Sequence, residues 1–471
     1  MLAVASRVLL TALLTFVLVW ALVLGWWQAN EFAPTTSDLL LCLGALPLLL
    51  VASFWLLRGF IEHLKNPASP AAAPPGNPDA GAESSATCRS DAVDRLAELR
   101  LLGVSVVASA GNSAEELLAA VVAGDRPKLD PTLRSDEGFP IFTARVSDLT
   151  PEVLADIEAE SGTAGGIHSA SPEQLRALAL VDKVLPSALA QASEFLQQWT
   201  MPATLELLWL IPESVAAAGP ERLAAWLNKR HLRAFPHEHE LHLKPVADES
   251  ETLRALDELI LRVGRDDTPP TLHLVLGATS HIGEATTESW NAEKRLFSAN
   301  NQPGQIPGEA AACLLLASPR TPVAANCEVA TTLSRVNAAR RDKPADARGR
   351  VSGHPLATLI DDLLAHRKLV ASDVRSLLAD SDHRDTRIGE LHAALDDRFE
   401  AIDPIEDCHP VGTVCGTVSP IASLIVLACA HSKAQSADGP VVYVSNQDPI
   451  ARAAMLITPF FPPPASESAP S

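Results

Sequence analysis

The chain has 471 residues and a formal net charge of −20, and 47% of its residues are hydrophobic while 20% are charged. This balance is typical of a globular chain with a sizeable core, and it excludes a chain that is disordered throughout. The acidic excess argues against a protein held to nucleic acid by phosphate contacts, so we expect no nucleic-acid partner.

The cysteines and glycines give no sign of a bound metal or cofactor. The seven cysteines lack the paired spacing that a zinc site or a small disulfide scaffold requires. The sequence contains neither a P-loop nor a Gly-x-Ser-x-Gly turn. We therefore expect a reduced compartment, no cofactor and no metal.

Two uncharged stretches near the N-terminus, residues 8–27 and 39–57, are each long enough to cross a hydrocarbon core of about 30 Å as a helix. The loop between them has no Lys or Arg, whereas Arg7 precedes the first stretch and Arg58 follows the second. Because positive residues favour the cytoplasmic side, both ends are predicted to lie there. A cleaved signal peptide is the alternative for the first stretch, but a second span follows at once. The pattern predicts a multi-pass protein of the inner membrane.

Residues 1–65 thus form a predicted membrane hairpin, and residues 66–95, rich in Pro, Ala, Gly and Ser, form a predicted disordered linker. Residues 461–471 form a similar tail at the other end. The hairpin contains as many acidic as basic residues, so the net charge belongs to the rest of the chain. An acidic body does not bind an anionic leaflet by charge alone, and the hairpin must supply the tether.

Between linker and tail, short apolar runs alternate with amphipathic stretches, which is typical of an α/β protein with parallel-type sheets. In chain order the pattern predicts a strand over 104–107, a helix over 114–123, a strand over 205–211, helices over 220–227 and 253–263, a strand over 272–276, helices over 355–366, 388–398 and 419–431, and strands over 441–444 and 453–457.

Three stretches of this part resemble β-ketoacyl synthases. Residues 101–116 are similar to the opening strand and helix of that family. Residues 305–316, with Gly308-Glu309 in the middle, resemble the glycine-glutamate segment and last strand of the family's first half, and this match is the most specific. Residues 441–457 are similar to the final hairpin. The three stretches occur in the family's order and together span nearly the whole chain after the linker.

The resemblance implies a thiolase-like α/β fold, in which two similar halves pack as five alternating layers (α-β-α-β-α). About 370 residues after the linker suit one copy of such a fold. The first half would cover residues 96–318 and the second residues 319–460. The resemblance also implies a homodimer as one of the expected partners.

The same resemblance implies a cysteine nucleophile at a helix N-terminus in the first half, where the helix dipole lowers the pKa of the thiol. No cysteine occurs between Cys88 and Cys313, and the helix in question is predicted to begin within residues 248–251. Ser250 is the substitute that an active enzyme would require. Capping of an acidic first helical turn by Asp248 or Ser250 explains the same residues without chemistry, and we prefer that interpretation.

The family also places two general acid/base residues in its second half. His409 partly keeps the expected Gly-His stretch, but Cys408 stands where the glycine should precede it. His383 lies near the position of the other imidazole, without the run of small residues that should follow. His409, Ser250 and His383 are therefore the candidates if the protein is active, and no catalytic residue is expected if it is not.

Two further groups have a chemical and a structural interpretation. His237, His239 and His242 could suggest a metal, but His242 would point to the other face of a strand and no fourth ligand follows, so a polar strand edge is preferred. Cys408, Cys415 and Cys429 form a cluster in the sequence. Cys429 lies in an apolar run and is predicted to be core, and Cys415 is the one candidate of this cluster for a reactive thiol.

Three functions follow. The first is a catalytically inactive, membrane-anchored binding or scaffolding module with a protein partner, supported by the missing cysteine. The second is an acyltransferase or β-ketoacyl synthase-type enzyme that acts on thioester-linked or lipid acyl groups at the membrane. The third keeps the cleft as a receptor for an acyl ligand without chemistry.

Overall fold

The computed structural model describes residues 94–164, 170–199, 203–265, 271–321, 330–347, 349–395, 399 and 402–460, together with Trp20, which is helical. The chain divides into two units, Met1–Glu83 and Ser84–Ser471. The predicted membrane spans apart from Trp20, almost all of the predicted linker and the predicted tail lie outside the described residues. Within the ranges given above, no helix combines the length and the apolar character that crossing a bilayer requires.

The folded body, residues 94–460, is an α/β structure. Its strands are β1 Glu98–Ala108, β2 Lys128–Arg134, β3 Pro140–Thr143, β4 Thr204–Pro212, β5 His239–Val246, β6 Thr271–Ser280, β7 Glu309–Ala317, β8 Thr331–Ser334, β9 Asn337–Arg340, β10 Ser376–Ala379, β11 Cys408–Pro410, β12 Val441–Ser445 and β13 Ala451–Pro459. Its helices are α1 Ala114–Ala123, α2 Pro151–Ala164, α3 Pro172–Gln198, α4 Glu213–Ala216, α5 Pro220–Arg230, α6 Glu249–Arg265, α7 Glu284–Ala292, α8 His354–His366, α9 Asp385–Leu395, α10 Gly412–Cys415 and α11 Ala422–Ala437.

The main sheet of the body contains the same five-stranded arrangement twice. The first set runs β5-β4-β6-β7-β1, and the second runs β11-β10-β12-β13-β8. In each set the last strand in the chain, β7 or β13, is antiparallel to both of its neighbours, whereas the other adjacent pairs are parallel. The two halves therefore repeat one topology, and antiparallel pairing of β1 with β8 joins their sheets.

Alternation along the strands separates the helices into layers. Along β7, Ala310, Ala312 and Leu314 face a central core, whereas the intervening Ala311 and Cys313 face an outer one. Such a period of two is expected of a strand that is covered on both faces. α3 packs on the outer face of the first sheet, α6 and α11 lie in the central core, and α8 and α9 cover the outer face of the second sheet. The order of layers is α-β-α-β-α.

The halves approach most closely where the glycine-glutamate segment meets the second half. A Cβ on Gly308 would lie 2.1 Å from the carbonyl oxygen of Cys415, so only glycine fits there. Gly416 follows with a φ of 65°, in the left-handed region that favours glycine. These two glycines allow the backbone before β7 to lie directly against the end of α10.

Some elements differ from the sequence-based prediction. The pattern gave no helix over Pro172–Gln198, because residues 175–181 are all buried and hide the helical period. It also placed the start of α9 three residues late. There the polar Arg387 and Glu390 belong to the buried face, so the apolar residues alone do not mark the helix.

Candidate active site

The helix that should carry the family's nucleophile begins at Glu249. β5 ends at Val246, and α6 starts three residues later. Oδ1 of Asp248 accepts a hydrogen bond from the backbone N of Glu251 at 2.9 Å, and the Glu251 carboxylate accepts one from the N of Ala247 at 2.9 Å. The predicted capping role of Asp248 is confirmed. The first helical position itself holds a carboxyl group instead of a thiol.

The Glu249 side chain lies between the starts of two helices. The residue is 8% exposed, and its two carboxyl oxygens accept hydrogen bonds from the backbone N of Ala422 at 3.1 Å and of Ser423 at 2.6 Å. These are the first two residues of α11, whose partial positive charge favours an acceptor at this point. Glu249 thus connects α6 of the first half with α11 of the second.

Burial dominates the protonation of this carboxyl. Burial, assisted by the nearby carboxyl of Asp380, raises the pKa of Glu249 to about 8, against the opposing effect of hydrogen bonds from Ser423 and Ala422. The group is therefore mostly protonated near neutral pH. A protonated carboxyl can donate a proton or a hydrogen bond, but it cannot form the covalent acyl intermediate that a cysteine thiolate forms.

Asp380 lies directly after β10 and faces Glu249 from the second half. Its Oδ2 accepts a hydrogen bond from the Ser445 hydroxyl at 2.6 Å, and its Oδ1 accepts bonds from the backbone N of Asn446 at 2.7 Å and of Gln447 at 3.0 Å. Burial raises the pKa of Asp380 as well. Burial, with the carboxyls of Asp380 and Glu249, also raises the pKa of Tyr443. We call this group the acid cluster; its members are Glu249, Asp380, Ser423, Tyr443 and Ser445.

Ion pairs fill the space beside the acid cluster in the second half. Arg452 and Glu390 form a fully buried pair with 2.7 Å between Nη2 and Oε2. Arg387 donates to Asp346 at 2.7 Å and to the backbone oxygen of Gln447 at 2.9 Å. Buried charges are tolerated where partners satisfy them, so this network holds the loops after β10 and β12 in place.

Ser250 lines a cavity of about 420 Å³ that also reaches Glu249. Its walls include Leu253 from α6, and Arg254 and Arg340 lie among the lining residues. No histidine is among the described residues that line this cavity. Activation of a serine hydroxyl needs an adjacent base, and the geometry supplies no imidazole for Ser250.

His409 is placed in β11, where it is 2% exposed. It is in register with Leu378 of β10, which in turn is in register with Tyr443 of β12. Two strand spacings of about 4.8 Å separate the backbones of His409 and Tyr443. Burial, assisted by the charge of Lys433, lowers the pKa of His409 to about 4, so its ring is neutral. The structure does not bring His409 to the cavity at Ser250.

His383 lies in the loop after β10, but contacts with the first half hold it. Its Nε2 is 3.3 Å from the backbone oxygen of Gln302, and its ring packs edge-on against Phe297 at 4.9 Å between centroids. It is absent from the lining of the cavity at Ser250. The three sequence candidates are therefore not brought together.

The structure contradicts the expectation that Cys415 is reactive. The residue is 1% exposed at the end of α10, and burial raises the pKa of its thiol to about 12. Cys408 has the same raised pKa of about 12, and burial shifts the thiols of Cys313 and Cys429 upward too. Such thiols carry almost no thiolate at neutral pH.

The histidines near β5 have structural contacts. Nε2 of His237 is 3.1 Å from the Ser193 hydroxyl, Nδ1 of His239 is 3.0 Å from the backbone oxygen of His237, and His242 lies 3.4 Å from Glu240. In the part of the chain that the structure describes, no group of three or more His, Cys, Asp or Glu side chains is arranged to hold a metal ion.

Glu309 of the glycine-glutamate segment has a structural role. Its carboxylate is fully buried and pairs with Arg176 of α3, with Nε to Oε2 at 2.7 Å. It also accepts bonds from the backbone N of Val146 at 2.7 Å and from the Ser280 hydroxyl at 2.8 Å. The segment on which the sequence resemblance depends most thus fixes β7 to α3.

Comparison with solved structures identifies the architecture. The body is similar to a chain of the AntDE:AntF complex of a type II PKS acyl-carrier protein with its ketosynthase bound to the hexaketide, with a TM-score of 0.54 and 12% identity over 78% of this chain and 100% of that one. It is also similar to the ketosynthase from module 6 of the bacillaene synthase of Bacillus subtilis 168, with a TM-score of 0.51 and 12% identity over 78% of this chain and 72% of that one. The body has the ketosynthase fold. No family model and no curated protein sequence matches the chain.

Glu249 and Asp380 are the residues of this site that the sequence analysis did not predict. Glu249 lay inside the segment predicted to start the helix, but an acidic first turn is ordinary at a helix N-terminus and drew no attention. Its burial depends on α11, some 170 residues further along the chain. Asp380 likewise acquires its significance only when β10 and β12 are side by side.

Proposed function

We propose that the protein is a membrane-anchored ketosynthase-fold module that binds a partner or an acyl ligand and forms no covalent acyl intermediate. The observation that supports this most is Glu249, a buried carboxyl at the helix position where the family resemblance implies a cysteine. The buried thiols point the same way, and so does the lack of an imidazole among the described residues that line the cavity at Ser250. The fold provides a cleft and surfaces, and these can serve binding without chemistry.

The proposed location rests on the N-terminal sequence. The two uncharged stretches, 8–27 and 39–57, would anchor the chain in the inner membrane, and the positive residues around them would keep the body in the cytoplasm. A reporter fused to the C-terminus tests this topology. We expect activity of a cytoplasmic reporter, and activity of a periplasmic reporter would contradict the orientation.

The proposed partners follow from the cavity and the fold. The cavity beside Glu249 has a volume of about 420 Å³, which suits a small ligand or the end of a longer one. A similar ketosynthase binds an acyl-carrier protein and a hexaketide. For this chain, we propose a protein partner, an acyl ligand or a second copy of the chain as the binding partner.

The second candidate function is acyl transfer of the β-ketoacyl synthase type on thioester-linked acyl groups. The likeness of the body to ketosynthases favours it. It requires a nucleophile, and Ser250 is the hydroxyl at the right helix start that also lines the cavity. The neighbouring Glu249 would then have to act as its base.

Intact-mass spectrometry distinguishes the two candidates. The full chain is incubated with acyl-CoA or with an acylated carrier protein after its accessible thiols have been alkylated. We expect no covalent adduct. An adduct that is lost in Ser250→Ala or in Glu249→Gln, while Asp248→Asn retains it, would establish the enzyme and reject the binding module.

A further inference from the structure

The acid cluster lies where the two halves meet. Glu249 comes from α6 of the first half, whereas in the second half Asp380 directly follows β10 and Ser423 and Tyr443 lie in α11 and β12. The bonds from Ala422 and Ser423 to the Glu249 carboxyl are direct contacts between the starts of the two central helices.

The groups that face Glu249 carry little compensating charge. Asp380 from the end of β10 adds a second acid, and Tyr443 from β12 adds a phenol whose ionisation is also opposed. The cavity beside Glu249 is also lined by Arg254 of α6, Arg340 of β9, Asp448 before β13 and Arg452 within β13. Arg452 is bound to Glu390 and is not available to Glu249.

Asp248, just before α6, and Glu251, in its first turn, add acidic groups near the same helix start, and both accept capping hydrogen bonds. Ionisation of both buried acids costs free energy, because each negative charge opposes the other and burial removes most of the water that would solvate them. The adjoining cavity is the route by which water can reach that charge.

We propose that loss of a proton from Glu249 loosens the contact between the start of α6 and the start of α11, and so opens the seam between the halves to the cavity. The protonated side chain carries no charge that requires hydration, so it fits the closed seam, and its carbonyl oxygen still accepts a backbone hydrogen bond. The ionised side chain next to Asp380 favours hydration, which the closed seam does not allow. The device makes access to the cavity depend on pH.

The sign of the effect follows from the raised pKa. Below the unfolded pKa of about 4.5 both states are protonated and the group contributes no pH dependence. As the pH rises toward about 8, the folded state holds a proton that the unfolded state has lost, so stability falls. Above that pH both states are ionised, and this group no longer makes the stability depend on pH.

Hydrogen exchange of the full chain, measured by mass spectrometry at two pH values one unit apart, both below the Glu249 pKa of about 8 and above the ordinary carboxyl range, tests the proposal. After correction for base-catalysed exchange, opening at the first turn of α11 should increase about 10-fold from the lower to the higher pH and should level off above the pKa. In Glu249→Gln the same segment should change by less than about 2-fold over that range. Glu251→Gln changes an acid in the same helical turn but keeps an oxygen that can accept the bond from the N of Ala247, so it should show the pH dependence of the parent chain.

A second variant keeps the test decisive if Glu249→Gln does not fold. Asp380→Asn removes a negative charge that raises the pKa of Glu249. The pH at which the seam opens should therefore decrease in this variant. The proposal would be overturned if Glu249→Gln kept the pH midpoint of opening of the parent chain. An unchanged midpoint in Asp380→Asn would overturn it too. Equal exchange of the parent chain at the two pH values would overturn it as well.

Discussion

Two of the buried glutamates in this body, Glu309 and Glu249, have opposite surroundings. Glu309 receives a two-point ion pair from Arg176 and further bonds from Val146 and Ser280 on the outer side of the first sheet. Glu249, in the central layer, receives backbone bonds only and faces another acid. A buried carboxyl avoids the cost of an uncompensated negative charge in one of two ways: a cation pairs with it, or it remains protonated.

Replacement of each glutamate by glutamine tests this difference, and we expect the larger change in stability at Glu309. Glu309→Gln leaves the buried guanidinium of Arg176 without its counter-charge, and we expect a loss of about 3–5 kcal/mol in the free energy of unfolding. Urea unfolding followed by circular dichroism measures it. The double variant Arg176→Met with Glu309→Gln should recover part of the loss, and a loss below about 1 kcal/mol in the single variant would show that the pair is not dominant.

At Glu249 the same change should act in the other direction. At pH 7 the folded protein holds this side chain protonated while the unfolded chain has lost the proton, and that difference destabilises the fold. Glu249→Gln removes the difference and sacrifices one backbone bond, so we expect a gain of roughly 1–3 kcal/mol. Repeating the urea titration at pH 5 should shrink the gain, and a clear loss at pH 7 would contradict the raised pKa.

The smallest effect is expected at the cap that precedes Glu249. Asp248→Ala removes the side-chain acceptor for the backbone N of Glu251, and loss of such a cap costs about 1 kcal/mol. Asp248→Asn keeps an acceptor and should stay within about 0.5 kcal/mol of the parent chain in the same unfolding assay. Similar losses in the two variants would assign the effect to the charge of Asp248.

The ketosynthase-like architecture was accessible from the sequence because it depends on local patterns. Gly308-Glu309 before an apolar strand is a compact signal, and the structure explains both residues: close backbone approach at Gly308 and an ion pair at Glu309. The alternation of strands and helices also follows from residues that are near one another in the chain.

The candidate site was less accessible because burial and charge there arise from distant segments. His409 and His383 were plausible by their neighbours in sequence, but β11 and Phe297 place them apart from Ser250. A glutamate at a helix start is usually solvated, but burial under α11 and the nearby carboxyl of Asp380 change the chemistry of Glu249. Cys415 was misjudged for the same reason, since its loop is covered by the first half.

The position of β1 sets a constraint on how the chain is made. Both of its sheet partners, β7 and β8, are synthesised some 200 residues after β1 itself. At about 5–20 residues per second, translation leaves this apolar strand without its native neighbours for roughly 10–40 s. Folding of the first half therefore cannot be completed as its strands emerge, and β1 needs protection from association with other chains until β7 is available.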